Sequence, residues 1–399
     1  MKNVLVVGGG PAGLSAAIHA AQAGASVTLA ERNGRTGAKL LATGGGHANI
    51  SNVRPPEEWP ALFGKHGRFI VPAMRHMPLS GLKHWLDDLG EPLECADGFH
   101  YFPKSNSARA VRDALLARAE TLGVRILYNN RLTDIPESHD ALVIATGGKS
   151  CPDTGSTGDG YALAEKLGHA VKPLHPGLVG LQTKTVPPEL AGLVLPDAFV
   201  SFKRKGKKAV SDQGELLLTH TGVSGPAILD ISGEAAEALG EGTAQPLRLG
   251  IRWAAELDGN FWLEQFKQWR KTHGNAPLSN RIREFIPLRL ARCLCRMAGI
   301  SEAGNNTPAT ITAKQRDTLA GLLGNFQADI SGTDGWNKAM ITRGGVDTTQ
   351  IHPASLESRL AGQVYFAGEV LDIDGPCGGY NLHWAFASGA LAGERAATS

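Results

Sequence analysis

The amino-terminal 31 residues restrict the fold more than any other stretch of the chain. Val4-Leu5-Val6-Val7 is an unbroken apolar run, the pattern of a strand covered on both faces in a parallel sheet. Gly8-Gly9-Gly10-Pro11-Ala12-Gly13 follows at once, and the alanine-rich stretch Leu14 to Ala23 predicts a helix that Gly24 ends. Val27 to Ala30 predicts a second strand that delivers Glu31 about 20 residues beyond the glycines, the length a dinucleotide-binding βαβ unit requires. Gly8 allows the tight turn, Gly10 lets the backbone approach a pyrophosphate, Gly13 lets the helix pack closely, and the helix N-terminus faces the anion. Glu31 is placed to accept hydrogen bonds from the adenosine ribose, and Pro11, Ala12 and Arg32 are grouped with these cofactor-binding candidates.

Composition narrows the class. A chain of 399 residues predicts two to three domains. Its 50 glycines compare with roughly 28 expected at about 7% usage, an excess that calls for many tight turns or close backbone approaches to a ligand. The formal charge of +2 argues against a surface built throughout for nucleic acid. Five cysteines, an odd number in a long chain, point to reduced thiols. No apolar run reaches the about 18 residues that span a bilayer, and no signal-peptide layout opens the chain, so a cytoplasmic protein without membrane association is expected.

Alternating strand and helix signals continue to about residue 170, including a helix over 107–122 and strands at 124–128 and 141–145. Short strand-like pieces punctuated by Pro173, Pro176, Pro187 and Pro188 then suggest a β-rich region, and residues 256–325 read as helical. The strand at 364–367 and a helix from about Asn381 return to α/β texture. The expected layout is α/β: a Rossmann-like domain of residues 1–170 and 341–399, interrupted by a β-rich insertion of 171–255 and 326–340 and a helical subdomain of 256–325.

After Glu31 the chain enters a long glycine-rich excursion rather than the next helix of a nicotinamide-binding domain. Lys39, Leu40, Thr43, Gly44, Gly45, Gly46 and Asn49 fall there, a segment suited to running along an extended cofactor. Here the chain resembles the two-dinucleotide-binding-fold flavoproteins, in which three separated segments share one FAD. The other two segments are Ala145-Thr146-Gly147-Gly148 and Tyr365-Phe366-Ala367-Gly368-Glu369, with Glu369 where that class usually has Asp.

Longer strings are similar to the HI0933-like, BaiN/YhiN-type family of FAD-dependent oxidoreductases. They include Thr146-Gly147-Gly148-Lys149-Ser150-Cys151-Pro152, Gly214 to His220 with Ser224-Gly225-Pro226-Ala227, Gly344-Gly345-Val346, and Gly368 to Asp372 continuing to Asn381. The resemblance implies FAD, an inserted β-barrel-like domain and a helical subdomain. It admits reduction or dehydrogenation of ring or C–N substrates, uracil in RNA among them. His47-Ala48-Asn49 departs from the family's Arg-Cys-Asn, so no cysteine role transfers there.

For the chemistry, Gly378-Gly379-Tyr380-Asn381 opens a helix whose N-terminus suits the flavin N1 and O2 region. Cys377 is a candidate proton donor, and His220, after an apolar strand, a candidate acid/base. His47 and His383 flank cofactor segments. Lys203-Arg204-Lys205-Gly206-Lys207-Lys208 reads either as a solvated hairpin or as a finger contacting phosphates. With one dinucleotide fingerprint, NAD(P)H is expected only as a transient electron donor. The substrate is a small molecule or an RNA base, the oligomeric state is left open, and an RNA-binding or redox-sensing flavoprotein with little turnover is the alternative.

Overall fold

The computed structural model describes all residues except 137, 205, 243–245, 273 and 302–305. In chain order the main elements are β1 (Asn3–Val7), α1 (Pro11–Gln22), β2 (Ser26–Ala30), α2 (Ala108–Thr121), β3 (Arg125–Leu127) and β4 (Ala141–Ile144). They continue with β5 (Leu181–Thr183), β6 (Val194–Phe202), β7 (Val210–Leu218), β8 (Gly222–Ser224), α3 (Pro226–Gly240), β9 (Leu247–Arg252), α4 (Gly259–Thr272), α5 (Leu278–Ile282), α6 (Leu288–Met297), α7 (Ala313–Gly324) and β10 (Phe326–Thr333). The chain closes with β11 (Val364–Phe366) and α8 (Tyr380–Thr398). They form two compact units, one of residues 1–176 and 339–399, the other of residues 177–338.

The first unit is built on a parallel sheet in the order β11-β4-β1-β2-β3. Val4 to Val7 and Ala141 to Ile144 are buried, as strands covered on both faces must be. One cover is the pair of alanine-rich helices α1 and α8, which lie unusually close because a Cβ added at Gly389 or Gly393 falls 2.2 Å from the Ala12 carbonyl oxygen or 2.1 Å from that of Ala16. Sheet order puts β1 and β4 side by side with β11 next to β4, so three segments distant in sequence end at neighbouring carboxyl edges. That is where open α/β sheets bind ligands.

The second unit is a closed six-stranded barrel in the order β6-β7-β8-β5-β10-β9, accompanied by helices. In β10 the buried residues Phe326, Ala328 and Ile330 alternate with exposed Gln327, Asp329 and Ser331, the period of two that fills a small barrel from inside. In α4, Trp262, Phe266 and Trp269 recur at helical spacing and are buried, and Phe285 meets both tryptophans edge-on or tilted at ring-centroid distances of 5.4 and 6.3 Å.

Two cations of the basic run are engaged by acids of the same unit. It lies beyond Phe202 in the hairpin of β6 and β7, and Lys205 falls outside the described residues. Arg204 is buried and donates to Glu237 at 2.9 Å and to Glu241 at 2.7 Å, while Lys207 lies 3.4 Å from Glu241. These acids, at the end of α3 and just beyond it, hold two of the run's cations onto the barrel unit.

Candidate functional site

The turn after β1 shows why its glycines are spaced as they are. Gly8 has φ +104°, and a Cβ there would stand 2.5 Å from the Ala145 carbonyl oxygen, so the first and second segments meet backbone to backbone. A Cβ on Gly13 would stand 1.8 Å from the Gly8 oxygen, which fixes glycine as the residue that lets α1 start against its own turn. Gly10 differs: its backbone is extended and ordinary, and a Cβ there meets nothing within 4 Å. Open space at the N-cap of α1, with Pro11 in the first turn, is a cradle for an anionic group.

Glu31 is buried at the end of β2. Its carboxylate accepts the Gly9 amide at 2.7 Å and the Asn33 amide at 2.7 Å, one on each oxygen, and each oxygen keeps a second acceptor position. Arg32 instead reaches Asp159 at 2.9 Å, a carboxylate that Arg131 also holds at 2.8 Å. Burial opposes ionisation of Asp159, but hydrogen bonds from Arg131 and Thr157 and the nearby guanidinium charges hold its carboxyl below the usual range. The ion pairs tie the Gly155–Gly160 loop to the end of β2.

A second polar cluster joins the excursion to the third segment. Lys39 Nζ donates to Glu369 Oε2 at 2.7 Å and to Ser150 Oγ at 2.7 Å. Ser150 Oγ also donates to Glu369 Oε1 at 3.0 Å, and the Thr342 amide donates to the same oxygen at 2.6 Å. A Cβ on Gly147 would lie 3.9 Å from Glu369, so Ala145 to Gly148 shares this corner. Gly368 donates its amide to Ser388 Oγ of α8 at 2.9 Å. Lys39 and Glu369, read separately in the sequence, are one ion pair; Ser150, which lies within the Thr146 to Pro152 string, and Thr342, two residues before Gly344, join that pair without having been expected at the site.

Leu40 to Gly46 is a pair of tight turns broken at Thr43 to Gly45, where Thr43 is extended and Gly44 and Gly45 have φ +55° and +66°, with Leu40 buried and Thr43 Oγ1 donating to the Leu40 oxygen at 2.6 Å. The Asn49 amide nitrogen would lie 3.0 Å from a Cβ on Gly44, packing that glycine turn against the chain beyond it. Two side-chain oxygens here, Thr36 Oγ1 and Asn49 Oδ1, are buried without a hydrogen-bond partner. Thr36 stands over Gly9, where an added Cβ would be 2.6 Å from its Cγ2. Orphaned polar atoms beside an open anion cradle are what a bound dinucleotide leaves unsatisfied when its own groups are not counted, so the residues present fit FAD.

The turn before α8 carries Gly378, Gly379, Tyr380 and Asn381. Asn381 Oδ1 accepts the Gly375 amide at 2.8 Å and its Nδ2 donates to the Gly375 oxygen at 2.9 Å, pinning the turn, while Asn52 donates to the Gly378 oxygen at 2.7 Å. Cys377 is half-buried beside it. His100, not singled out by the sequence, lies against this turn: a Cβ on Gly378 would be 3.7 Å from its Nε2. Its Nδ1 is 2.6 Å from Asp97, whose carboxyl is held well below the ordinary value chiefly by that hydrogen bond. Arg343 and Asp374 pair at 2.9 Å on the same stretch, and burial pushes the Asp374 carboxyl up against the pull of Arg343.

The histidines separate by surroundings. His383 is a fixed core group: Nε2 donates to the Met77 oxygen at 3.0 Å, Nδ1 accepts from Ser51 Oγ at 2.8 Å, and burial lowers its pKa to about 4. His47 is exposed and 3.1 Å from the Asn106 oxygen. His220 is exposed in the loop between β7 and β8 of the barrel unit.

A parallel sheet with these segments at its carboxyl edge, interrupted by a closed barrel, is a Rossmann-like FAD-binding fold, and the class is that of the flavin-dependent oxidoreductases. The chain belongs to the HI0933-like family, whose Rossmann-domain model matches residues 2–395. It is 30% identical to a 3-dehydro-bile acid delta(4,6)-reductase of Clostridium scindens, over 100% of this chain and 99% of that protein. It is 28% identical to a ribosomal RNA dihydrouridine synthase of Escherichia coli, over 97% of this chain and 96% of the relative. Among solved structures, 3-ketosteroid delta1-dehydrogenase from Sterolibacterium denitrificans is similar with a TM-score of 0.51 at 13% identity, covering 100% of both chains, a likeness of fold. Among the described residues no helix is long and apolar enough to cross a membrane, and no group of His, Cys, Asp and Glu could hold a metal.

Proposed function

We propose that this chain holds FAD along the carboxyl edge of its parallel sheet and reduces a ring carbon–carbon double bond conjugated to a carbonyl. One observation carries the reading: two full-length relatives with chemically unlike substrates, a 3-keto steroid acid and a uridine, are both named for that type of reduction. The bound cofactor supplies hydride chemistry when reduced. The chain's residues do the rest. Gly8 to Gly13 and the N-terminus of α1 take the pyrophosphate, Glu31 the ribose, and Lys39 with Glu369 the middle of the cofactor.

The N-terminus of α8 faces the developing negative charge on the ring system, and the turn that precedes it supplies the proton. Two donors flank that turn, Cys377 and His100, the latter oriented by Asp97 as a second carboxylate orients an acid–base histidine. NAD(P)H, which needs no domain of its own, acts as a transient donor at the flavin face.

The test begins with the flavin spectrum of the purified protein. The reduced protein is then mixed without oxygen with a cyclic enone, with uridine-containing RNA, or with buffer. Reoxidation that requires one of the two unsaturated rings is expected, with NADH and NADPH ranked as reductants in a parallel experiment. Replacing His100 with Gln or Cys377 with Ala lowers that rate while leaving flavin retention intact. Reduced flavin that persists with every ring acceptor yet reacts with oxygen refutes the reading.

A further inference from the structure

The small total charge hides a segregation. Residues 267–296 hold eight Lys and Arg, at 267, 270, 271, 281, 283, 289, 292 and 296, and one acid, Glu284, a net +7. With the whole chain at +2, everything else sums to −5. Six of the eight cations are arginines, whose planar forks match phosphate.

On α6 the segregation becomes a surface. Leu290, Ala291, Cys293, Leu294 and Cys295 are buried, while Arg289, Arg292 and Arg296 follow at i, i+3 and i+7 and are exposed. With Leu288 these three arginines line one open depression of about 400 Å³. Arg289 is steadied by the Leu190 and Ala191 carbonyl oxygens, each at 2.9 Å, and Arg296 by Glu189 at 3.3 Å. A guanidinium has five donors, so the two carbonyl contacts leave Arg289 capacity for a ligand. Phe285, at the foot of this helix, exposes part of its ring while its other contacts are the aromatic core around Trp262.

We propose that this arginine face of α6 binds the phosphate backbone of single-stranded RNA. The apolar side of the helix is already used in the core, so the helix is not free to lie in a membrane. Clustered arginines, with a partly exposed aromatic ring three residues before the helix begins, fit a chain of phosphates and stackable bases better than an acidic protein surface. The inference deepens the reading above by naming the molecule that brings the ring, and it rests on that reading for the chemistry but not for the binding.

The test uses the full-length protein and a labelled oligouridylate of about 20 nucleotides, with binding followed across salt concentrations. Three phosphate contacts to a single strand predict that the triple variant Arg289→Gln, Arg292→Gln, Arg296→Gln loses about 2 from the log–log salt slope, at roughly 0.7 per contact, and binds at least about tenfold more weakly at 0.1 M salt. Because Arg289 and Arg296 also have partners in the protein, Arg292→Glu alone is the second probe, with several-fold weakening expected. Lys203→Gln with Lys208→Gln, on the barrel hairpin, changes neither quantity.

Unchanged affinity and slope in the folded α6 variants overturn the proposal. So does equally tight binding of polyglutamate of the same length, which assigns the face to an acidic protein. Turnover with a cyclic enone is measured in the same variants: retained turnover without RNA binding sinks this inference and leaves the ring-reduction reading standing, whereas RNA binding without turnover of any ring does the reverse.

Discussion

Gly10 and Gly13 offer a way to separate folding from cofactor binding within one turn. A methyl group at Gly13 would be placed 1.8 Å from the Gly8 carbonyl oxygen, a backbone atom that cannot step aside without moving β1. Gly13→Ala therefore destabilises the unit itself, by the several kcal/mol typical of overpacking against a rigid neighbour, about 1–3 or more. At Gly10 the backbone has φ −79° and ψ −177°, which alanine and valine adopt freely, and the added Cβ meets nothing within 4 Å. The substitution gains roughly 0.4–1 kcal/mol by restricting the unfolded chain and loses a comparable amount because alanine is a poor N-cap, leaving the apoprotein within about 1 kcal/mol of the original.

The space at Gly10 is nonetheless what a pyrophosphate would fill. Gly10→Val should therefore leave thermal unfolding of the apoprotein nearly unchanged while abolishing the visible flavin bands of the purified protein and raising the dissociation constant for added FAD by about 100-fold or more. Apoprotein melting and flavin titration, measured side by side on both variants, give the answer. A Gly10→Val protein that purifies with its full flavin complement would refute the placement of the pyrophosphate, and a Gly13→Ala protein as stable as the original would refute the packing argument.

Other consequences follow from single contacts. Lys39→Met removes the cation beside Glu369 and leaves a partly buried carboxylate; partial exposure of both groups limits the loss to about 1–2 kcal/mol in denaturant unfolding, with weaker FAD retention than in a Lys39→Arg control. His383 is neutral in the fold with its pKa near 4 against an ordinary 6.5, so the unfolded chain takes up its proton first as pH falls. Stability should be unaffected above about pH 6.5 and decline between there and pH 4, by up to about 3 kcal/mol, a slope that a folded His383→Gln variant would lack in pH-dependent unfolding. Arg204→Ala should cost about 1 kcal/mol, since Glu237 and Glu241 are partly exposed and rehydrate, and should leave RNA binding as it was; a large fall in RNA affinity would contradict the engagement of Arg204 by these two acids.

The sequence by itself determined the βαβ opening, because its information is local: an apolar strand, glycines where a Cβ collides with the chain's own backbone, and an acid at the next strand end all lie within 31 residues. It also determined the family, through short strings kept in order along the chain. The alternating burial of β10 and the helical aromatic spacing of α4 were legible for the same reason, since periods of 2 and 3.6 are written in consecutive residues.

Tertiary structure decided what depends on distant neighbours. That Lys39 faces Glu369, 330 positions on, follows from strand order and not from either residue's surroundings in the sequence. That His100 stands by Gly378, and that His383 is locked between Ser51 and Met77, follows equally from packing. The basic residues make the point most directly. The basic run at 203–208 stood out in the sequence but gives two of its cations, Arg204 and Lys207, to Glu237 of α3 and Glu241 just beyond it, whereas arginines spaced along α6 drew no attention until one helical face gathered them, because charge acts through space and not along the chain.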